Sequence, residues 1–186
     1  MITDSGKLTL HMVSSLDGKI ASKDNSISWF EASSSYEKGV AGQDPTEFLK
    51  SIDCYVMGSH TYEMALTLAA SYGWAYGDKP TIVVTSRNLP NSRSNVEFYT
   101  GELRRLVEDR LRPTYKNVWM VGGASLAMDF LNLNLIDDIR LTILPIILGD
   151  GLSFFSRPLS EQLLRLKDVT AYKNGMVELW YEVPRV

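Results

Sequence analysis

The chain has 186 residues, 45% of them hydrophobic, enough for one domain with a sizeable core and no need of disulfide or metal staples. A formal net charge of −3 and a pI near 5.4 argue against nucleic acid as a partner, because backbone phosphates want clustered Lys and Arg. The single cysteine excludes an internal disulfide, the two histidines join no Cys/His cluster of zinc-ligand spacing, and no apolar stretch has membrane-spanning length, so a metal-free, soluble cytoplasmic protein is expected.

The first predicted strand begins after Gly6, where Lys7-Leu-Thr-Leu-His-Met-Val13 alternates. Within Ser14 to Ala21, the Asp17-Gly18 pair has the composition of a hairpin turn. Lys23-Asp-Asn-Ser26 reads as a polar loop, after which Trp29 and Phe30 return to the core or wall a pocket. Ala32 to Gly42 is mostly small and polar, a short helix and connector. Asp44-Pro45-Thr46 supplies capping groups and a proline to a helix carrying Phe48, Leu49 and Ile52. Cys54 to Met57 reads as a buried strand, with Cys54 a structural thiol. It runs into Gly58-Ser-His-Thr-Tyr-Glu63, where Ser59 or Thr61 can cap a helix through Met64, Ala65, Leu68 and Ala69. The strand Thr81 to Thr85 ends in the polar cluster Thr85-Ser-Arg-Asn88. Thr100 then caps a helix with Leu103, Leu106, Val107 and Leu111 on one face, stopped by Pro113.

Next comes Trp119-Met-Val-Gly-Gly-Ala-Ser-Leu-Ala-Met-Asp-Phe-Leu131, a strand, a Gly pair and a helix whose apolar face is Leu126, Ala127, Phe130 and Leu131. Such a turn aims free backbone N–H groups and the positive end of a helix at an anion, a phosphate or pyrophosphate. A close helix–strand contact would use the same glycines and needs no ligand. Strands alternating with helices imply a mostly parallel sheet, and ligands gather at the carboxyl ends of such strands. The clusters after Met57, Val84 and Val121 all fall at such ends, so one long ligand could touch all three. Asp138 to Pro145 is a further strand, and Gly149-Asp-Gly151 a turn. Lys173-Asn-Gly175 sits between two alternating runs, so the sheet should finish as an antiparallel hairpin. Residues 1–186 form one domain, without repeat, linker or low-complexity tract.

Four motifs, Ser15-Leu-Asp-Gly-Lys-Ile-Ala21, Val56-Met-Gly-Ser-His-Thr-Tyr62, Val121-Gly-Gly-Ala124 and Leu144-Pro-Ile-Ile-Leu-Gly149, resemble the reductase domain of bacterial riboflavin biosynthesis, within the dihydrofolate reductase-like superfamily. The resemblance runs nearly end to end. It implies an α/β, three-layer αβα dihydrofolate reductase-like fold with a mostly parallel central sheet and an antiparallel C-terminal hairpin, NADPH as hydride donor, and a homodimer. Carried over position by position, it implies cofactor contacts from Ala21, from Gly58, Ser59, His60 and Thr61, and from Thr85 and Ser86. Arg87 stands where the adenosine 2′-phosphate would meet it, and reads equally as a solvated surface arginine. Val121, Gly122, Gly123, Ala124, Ser125 and Leu126 match the segment beside the pyrophosphate, whose two glycines are often joined by a cis peptide in dihydrofolate reductases.

The departures concern the substrate. Dihydrofolate reductases carry a carboxylate five or six residues beyond the tryptophan matching Trp29, where this chain has Ser34 and Ser35. Glu31 is the nearest carboxylate to Trp29. Riboflavin-pathway reductases carry Lys where His11 aligns and Glu where Val121 precedes the Gly pair. The expected substrate-side residues are His11, Asp17 and Trp29; His11 is either a pocket donor or a satisfied core histidine, and Asp17 either binds a ribose or ring nitrogen or serves its turn. No catalytic side chain is assigned, since a nicotinamide carries the hard chemistry of hydride transfer. The expected function is an NADPH-dependent reductase of a small heterocyclic or sugar-linked imine or carbonyl, with the pyrimidine intermediate of riboflavin synthesis as the reference substrate. A pterin or dihydrofolate reductase, and a non-catalytic nucleotide-binding module, stand as alternatives.

Overall fold

A computed structural model of the protein describes residues 6–29, 45–91 and 93–185. Strand β1 (Lys7–Ser15) lies inside the sheet because its alternation serves two layers: Leu8, Leu10 and Met12 enter one core, while His11 and Val13 join side chains on the opposite face. A short β2 (Lys19–Ala21) follows, then helix α1 (Pro45–Ser51), β3 (Cys54–Gly58), helix α2 (Ser59–Tyr72), β4 (Thr81–Val84) and β5 (Val96–Tyr99). After helix α3 (103–114) come β6 (Asn117–Gly122), helix α4 (Ala124–Asn132), β7 (Asp138–Leu144), β8 (Leu152–Ser153), β9 (Arg165–Ala171) and β10 (Val177–Glu182).

The eight-stranded sheet has the order β5-β4-β3-β6-β1-β7-β10-β9, and β2 pairs separately with β8. Every pairing from β5 to β7 is parallel, and β10 turns back antiparallel to both β7 and β9. Helices α3 and α4 cover one face through Leu106, Val107, Leu111, Ala127, Met128, Phe130 and Leu131. Helices α1 and α2 cover the other, where Phe48, Ile52, Tyr62 and Leu66 pack on Tyr55, Met57 and Val83. The three-layer, mostly parallel architecture with a closing antiparallel hairpin is therefore present. Gly175, at φ 86°, makes the hairpin turn, as the Asn-Gly pair foretold. Cys54 is fully buried, and desolvation pushes its thiol up to about 12, leaving it inert at neutral pH.

Local details differ from expectation. Neither Ser59 nor Thr61 caps α2; its N-cap is Gly58, with no side-chain hydrogen bond. Thr100 does not cap α3 either, because its hydroxyl donates to the Thr85 carbonyl at 2.5 Å, tying the end of β5 to the end of β4. Nor does Pro113 stop α3, which continues to Thr114. The segment Leu106–Leu111 is π-helical, and its wider turn leaves room for a pyrrolidine ring that would strike a carbonyl in an α-helix. Strand β5 was not foreseen: four residues after a polar, proline-containing stretch carry little periodicity. The expected short helix within Ala32–Gly42, and Asp44, lie outside the described residues.

Candidate functional site

Adjacent parallel strands β3 and β6 both end in glycine and both feed directly into helices. Gly58 is the N-cap of α2 and Gly123 the N-cap of α4, and neither helix start carries a side-chain cap hydrogen bond. The starts abut: a Cβ on Gly58 would stand 3.7 Å from Leu126 Cδ2, and one on Gly123 would stand 3.4 Å from Thr61 Oγ1. Two helices thus point uncapped first-turn N–H groups and positive dipole ends at the same space above the sheet. The Gly122–Gly123 peptide is cis, and Gly122 has a φ of 112°. The positive φ is what calls for glycine there; a side chain would also meet Met12 Sδ at 2.9 Å, a contact that a shift of the flexible methionine could relieve. Gly58, Ser59, His60, Thr61 and the segment Val121 to Leu126 are therefore brought together as expected.

One strand further out, β4 delivers Thr85, Ser86 and Arg87 to the same sheet end. Thr85 is buried, and its hydroxyl accepts the Arg87 backbone N–H at 2.9 Å, which fixes the start of the loop. The Arg87 guanidinium is not a free solvated cation. It donates two hydrogen bonds to Glu63 of α2, at 2.8 and 2.7 Å. The pair is half exposed, and the hydrogen bond to Arg87 holds the Glu63 carboxyl below its ordinary value. Glu63 was missed in the sequence. Its signal was the four-residue spacing from Ser59, which sets it one turn up the same helix face.

His11 lies on the α1/α2 face of β1, stacked on Trp119 at 4.8 Å and edge-on to Phe48 at 5.3 Å. Its Nε2 is 3.4 Å from Thr142 Oγ1 and 3.6 Å from Glu178 Oε2, while Glu178 is itself hydrogen-bonded to Arg140. Burial, with the Arg140 charge second, lowers the His11 pKa to about 3, so the ring is neutral. The carboxylate side selects the Nε2–H tautomer, which leaves Nδ1 as a buried acceptor with no donor among the described residues. The β1–β6 pairing ends at Leu10 and Met120, so His11 and Val121, the two expected departures from the riboflavin-reductase pattern, are the residues that directly follow it on adjacent strands. Arg140, Thr142 and Glu178 were not anticipated, although polar residues at alternate positions of an otherwise apolar β7 were a visible sign of a polar patch on one sheet face.

The depressed His11 pKa has a pH consequence. Between the unfolded value near 6.5 and about 3, the unfolded chain binds a proton that the folded ring refuses, so stability falls on acidification. The expected slope approaches about 1.4 kcal/mol per pH unit below that unfolded value and vanishes above it. In His11→Gln the slope between pH 4 and 6 should flatten; urea titrations across that range with unchanged slope would contradict the neutral, buried assignment.

Asp17 takes the turn role. Its carboxylate accepts the Ser15 hydroxyl at 2.6 Å and the backbone N–H groups of Leu148 and Gly149 at 3.1 and 2.8 Å. These bonds, the Ser15 one first, pull its pKa down to about 2. Asp17 thereby clamps the turn after β1 to the loop after β7, on the rim of the sheet end where the helix starts meet. Ala21 is buried at the end of β2, where it pairs with Leu152 of β8. Trp29 is buried with Leu144, Tyr172 and Met176, against Val13 and Leu148, and so reaches the sheet face that carries His11. Phe30, Glu31, Ser34 and Ser35 lie outside the described residues. Among the described residues, no group of His, Cys, Asp and Glu is arranged to hold a metal ion. No described helix is long and apolar enough to cross a membrane.

Residues 6–178 match the family model of the RibD C-terminal domain. The chain is 30% identical over 175 residues to the uncharacterized protein YwjB of Bacillus subtilis (strain 168), covering 94% of this chain and 97% of that protein. It is 25% identical over 167 residues to the riboflavin biosynthesis protein RibD of Corynebacterium ammoniagenes, covering 84% of this chain but only 48% of that longer protein. Among solved structures, a candidate riboflavin biosynthesis protein from Shewanella sp. PV-4 superposes with a TM-score of 0.80 at 22% identity, over 96% of this chain and 99% of its own.

Proposed function

This chain belongs to the RibD C-terminal domain family, and from that membership we propose that it is a cytoplasmic, homodimeric reductase using NADPH to reduce an imine or carbonyl in a small heterocyclic or sugar-linked substrate. The observation that carries the reading is the junction of two uncapped helix starts across the Gly122–Gly123 pair. Those residues fit a dinucleotide. The absence of Cβ at Gly58 and Gly123 keeps the two helix starts close and open, and the first-turn N–H groups of Ser59, His60 and Thr61 and of Ala124 and Ser125 are the donors such a ligand would use. Ser86 and Arg87 are one strand away, where an adenosine 2′-phosphate would lie.

When bound, the nicotinamide supplies the hydride. This chain's own residues supply position. Val121 and Ala21 would meet the nicotinamide at the ends of β6 and β2, Trp29 would face it from the apolar side, and Asp17 fixes the adjacent turn after β1. No described side chain is needed as an acid, since solvent can deliver the proton.

The test is loss of NADPH absorbance with a panel of acceptors. Acceptor-dependent oxidation is expected, with the ribosylaminopyrimidine of riboflavin synthesis turned over well below ordinary rates, on the order of 10 per second. The double change His11→Lys, Val121→Glu should raise that rate, because it restores the two polar groups of the family pattern at neighbouring positions. A faster reaction with dihydrofolate would favour a pterin reductase. NADPH binding without oxidation by any acceptor would leave a nucleotide-binding module.

A further inference from the structure

Arg87 meets its counter-charge before any ligand arrives. Glu63 accepts one hydrogen bond from each terminal guanidinium nitrogen of Arg87, in a parallel fork at 2.7 and 2.8 Å, the same geometry that a phosphate would use. Thr85 anchors the Arg87 backbone, so the loop is fixed at its root while the side chain leans across to α2. Glu63 lies one helical turn past Ser59, so its charge sits beside the start of that helix. It remains there when a ligand displaces it from Arg87.

We propose that Glu63 is the residue that sets cofactor selectivity, acting as a built-in rival for Arg87 that keeps the preference for the 2′-phosphorylated dinucleotide low. The proposal rests on the dinucleotide reading above. A 2′-phosphate with nearly two negative charges must compete with the Glu63 carboxylate for the same guanidinium charge, whether it takes the fork or the donors the fork leaves over, and in either case it lies close to a like charge. The unphosphorylated dinucleotide has nothing to place against Arg87, and its pyrophosphate meets Glu63 just as that of the phosphorylated one does, so that contribution cancels in the ratio. An exposed ion pair alone is weak, so Glu63 does not exclude the phosphate; it offsets most of what Arg87 offers.

The measurement is the ratio of NADPH to NADH affinity, by calorimetric titration, in the unaltered protein and in Glu63→Gln, Arg87→Ala and the double variant. The unaltered protein is expected within about tenfold of parity. Glu63→Gln should raise the preference for NADPH about tenfold through tighter NADPH binding, with a much smaller change in NADH affinity as the internal control. Arg87→Ala should lower it about tenfold, since the carboxylate is then unopposed, and the double variant should return close to the unaltered ratio. The gain in Glu63→Gln should shrink as salt rises. An unchanged ratio in Glu63→Gln, or a preference above about a hundredfold in the unaltered protein, would overturn the proposal while leaving the cofactor site in place. Binding of neither dinucleotide to any variant would overturn the site and the proposal together.

Discussion

Gly123→Val is expected to abolish dinucleotide binding in a protein that still folds. Gly123 has a φ of −71° and a ψ of −174°, ordinary extended backbone, so valine meets no conformational objection there. As an N-cap, valine in place of glycine costs about 1 kcal/mol, which a domain of this size tolerates. The effect is on the paired helix starts. A Cβ already stands 3.4 Å from Thr61 Oγ1, and the two added methyls fill the space between the starts of α2 and α4 where the N–H groups must meet an anion. Loss of those contacts should weaken binding by a factor of about 100 or more, with Gly123→Ala falling between. Gly122→Ala serves as the contrast: with φ at 112° and Met12 Sδ in the way, it should lower stability by about 1–3 kcal/mol. Unchanged affinity in a folded Gly123→Val would remove the paired helix starts from the account.

The largest stability effect is expected at the opposite end of the sheet, from Asp137→Ala. Asp137 is buried just before β7, and its carboxylate accepts the Leu8 backbone N–H at 2.9 Å, two Arg112 donors at 3.2 Å, and Arg185 at 2.6 and 3.0 Å. Its backbone N–H donates to Leu8 O, and its carbonyl accepts from Val183 N–H. One side chain therefore joins the start of β1, helix α3 and the chain after β10. Arg112 is itself only 14% exposed, so removing the carboxylate leaves a buried guanidinium uncompensated and a strand N–H without an acceptor. A loss of about 3–5 kcal/mol is expected, with a fall in Tm of roughly 10 °C. Dinucleotide affinity should not move, because the site lies at the other ends of the same strands. A loss below about 1 kcal/mol would show that the cluster behaves like a surface pair.

Much of this was legible in the residues because it rests on short-range physics. The Trp119–Leu131 stretch announced strand, Gly pair and helix through a switch of apolar period, and the Asn174-Gly175 pair announced the closing hairpin. Asp17-Gly18 carried both of its readings, and the hydrogen bonds to Leu148 and Gly149 show the carboxylate holding the turn. What was not legible depends on neighbours distant in sequence. Arg87 could not be told from a solvated arginine until Glu63, 24 residues earlier, was seen to hold it. His11 needed Glu178 and Arg140, far along the chain, before its tautomer and charge could be assigned. Helix starts were misjudged for another reason. Ser59, Thr61 and Thr100 all have capping chemistry, but Gly58 already serves as N-cap of α2 and Thr100 is committed to Thr85, leaving the start of α2 open for a ligand.

The most direct test of the central claim is a nuclear magnetic resonance titration of the unaltered protein with NADPH, following backbone amide shifts. The account predicts saturable changes concentrated at Ser59, His60 and Thr61, at Ala124, Ser125 and Leu126, and at Ser86 and Arg87, with the Asp137 region unmoved. Saturable binding whose shifts fall elsewhere, for instance at the groove formed by Pro80, Asn95, Glu97 and Tyr115 at the other end of the sheet, or no binding at all, would contradict it.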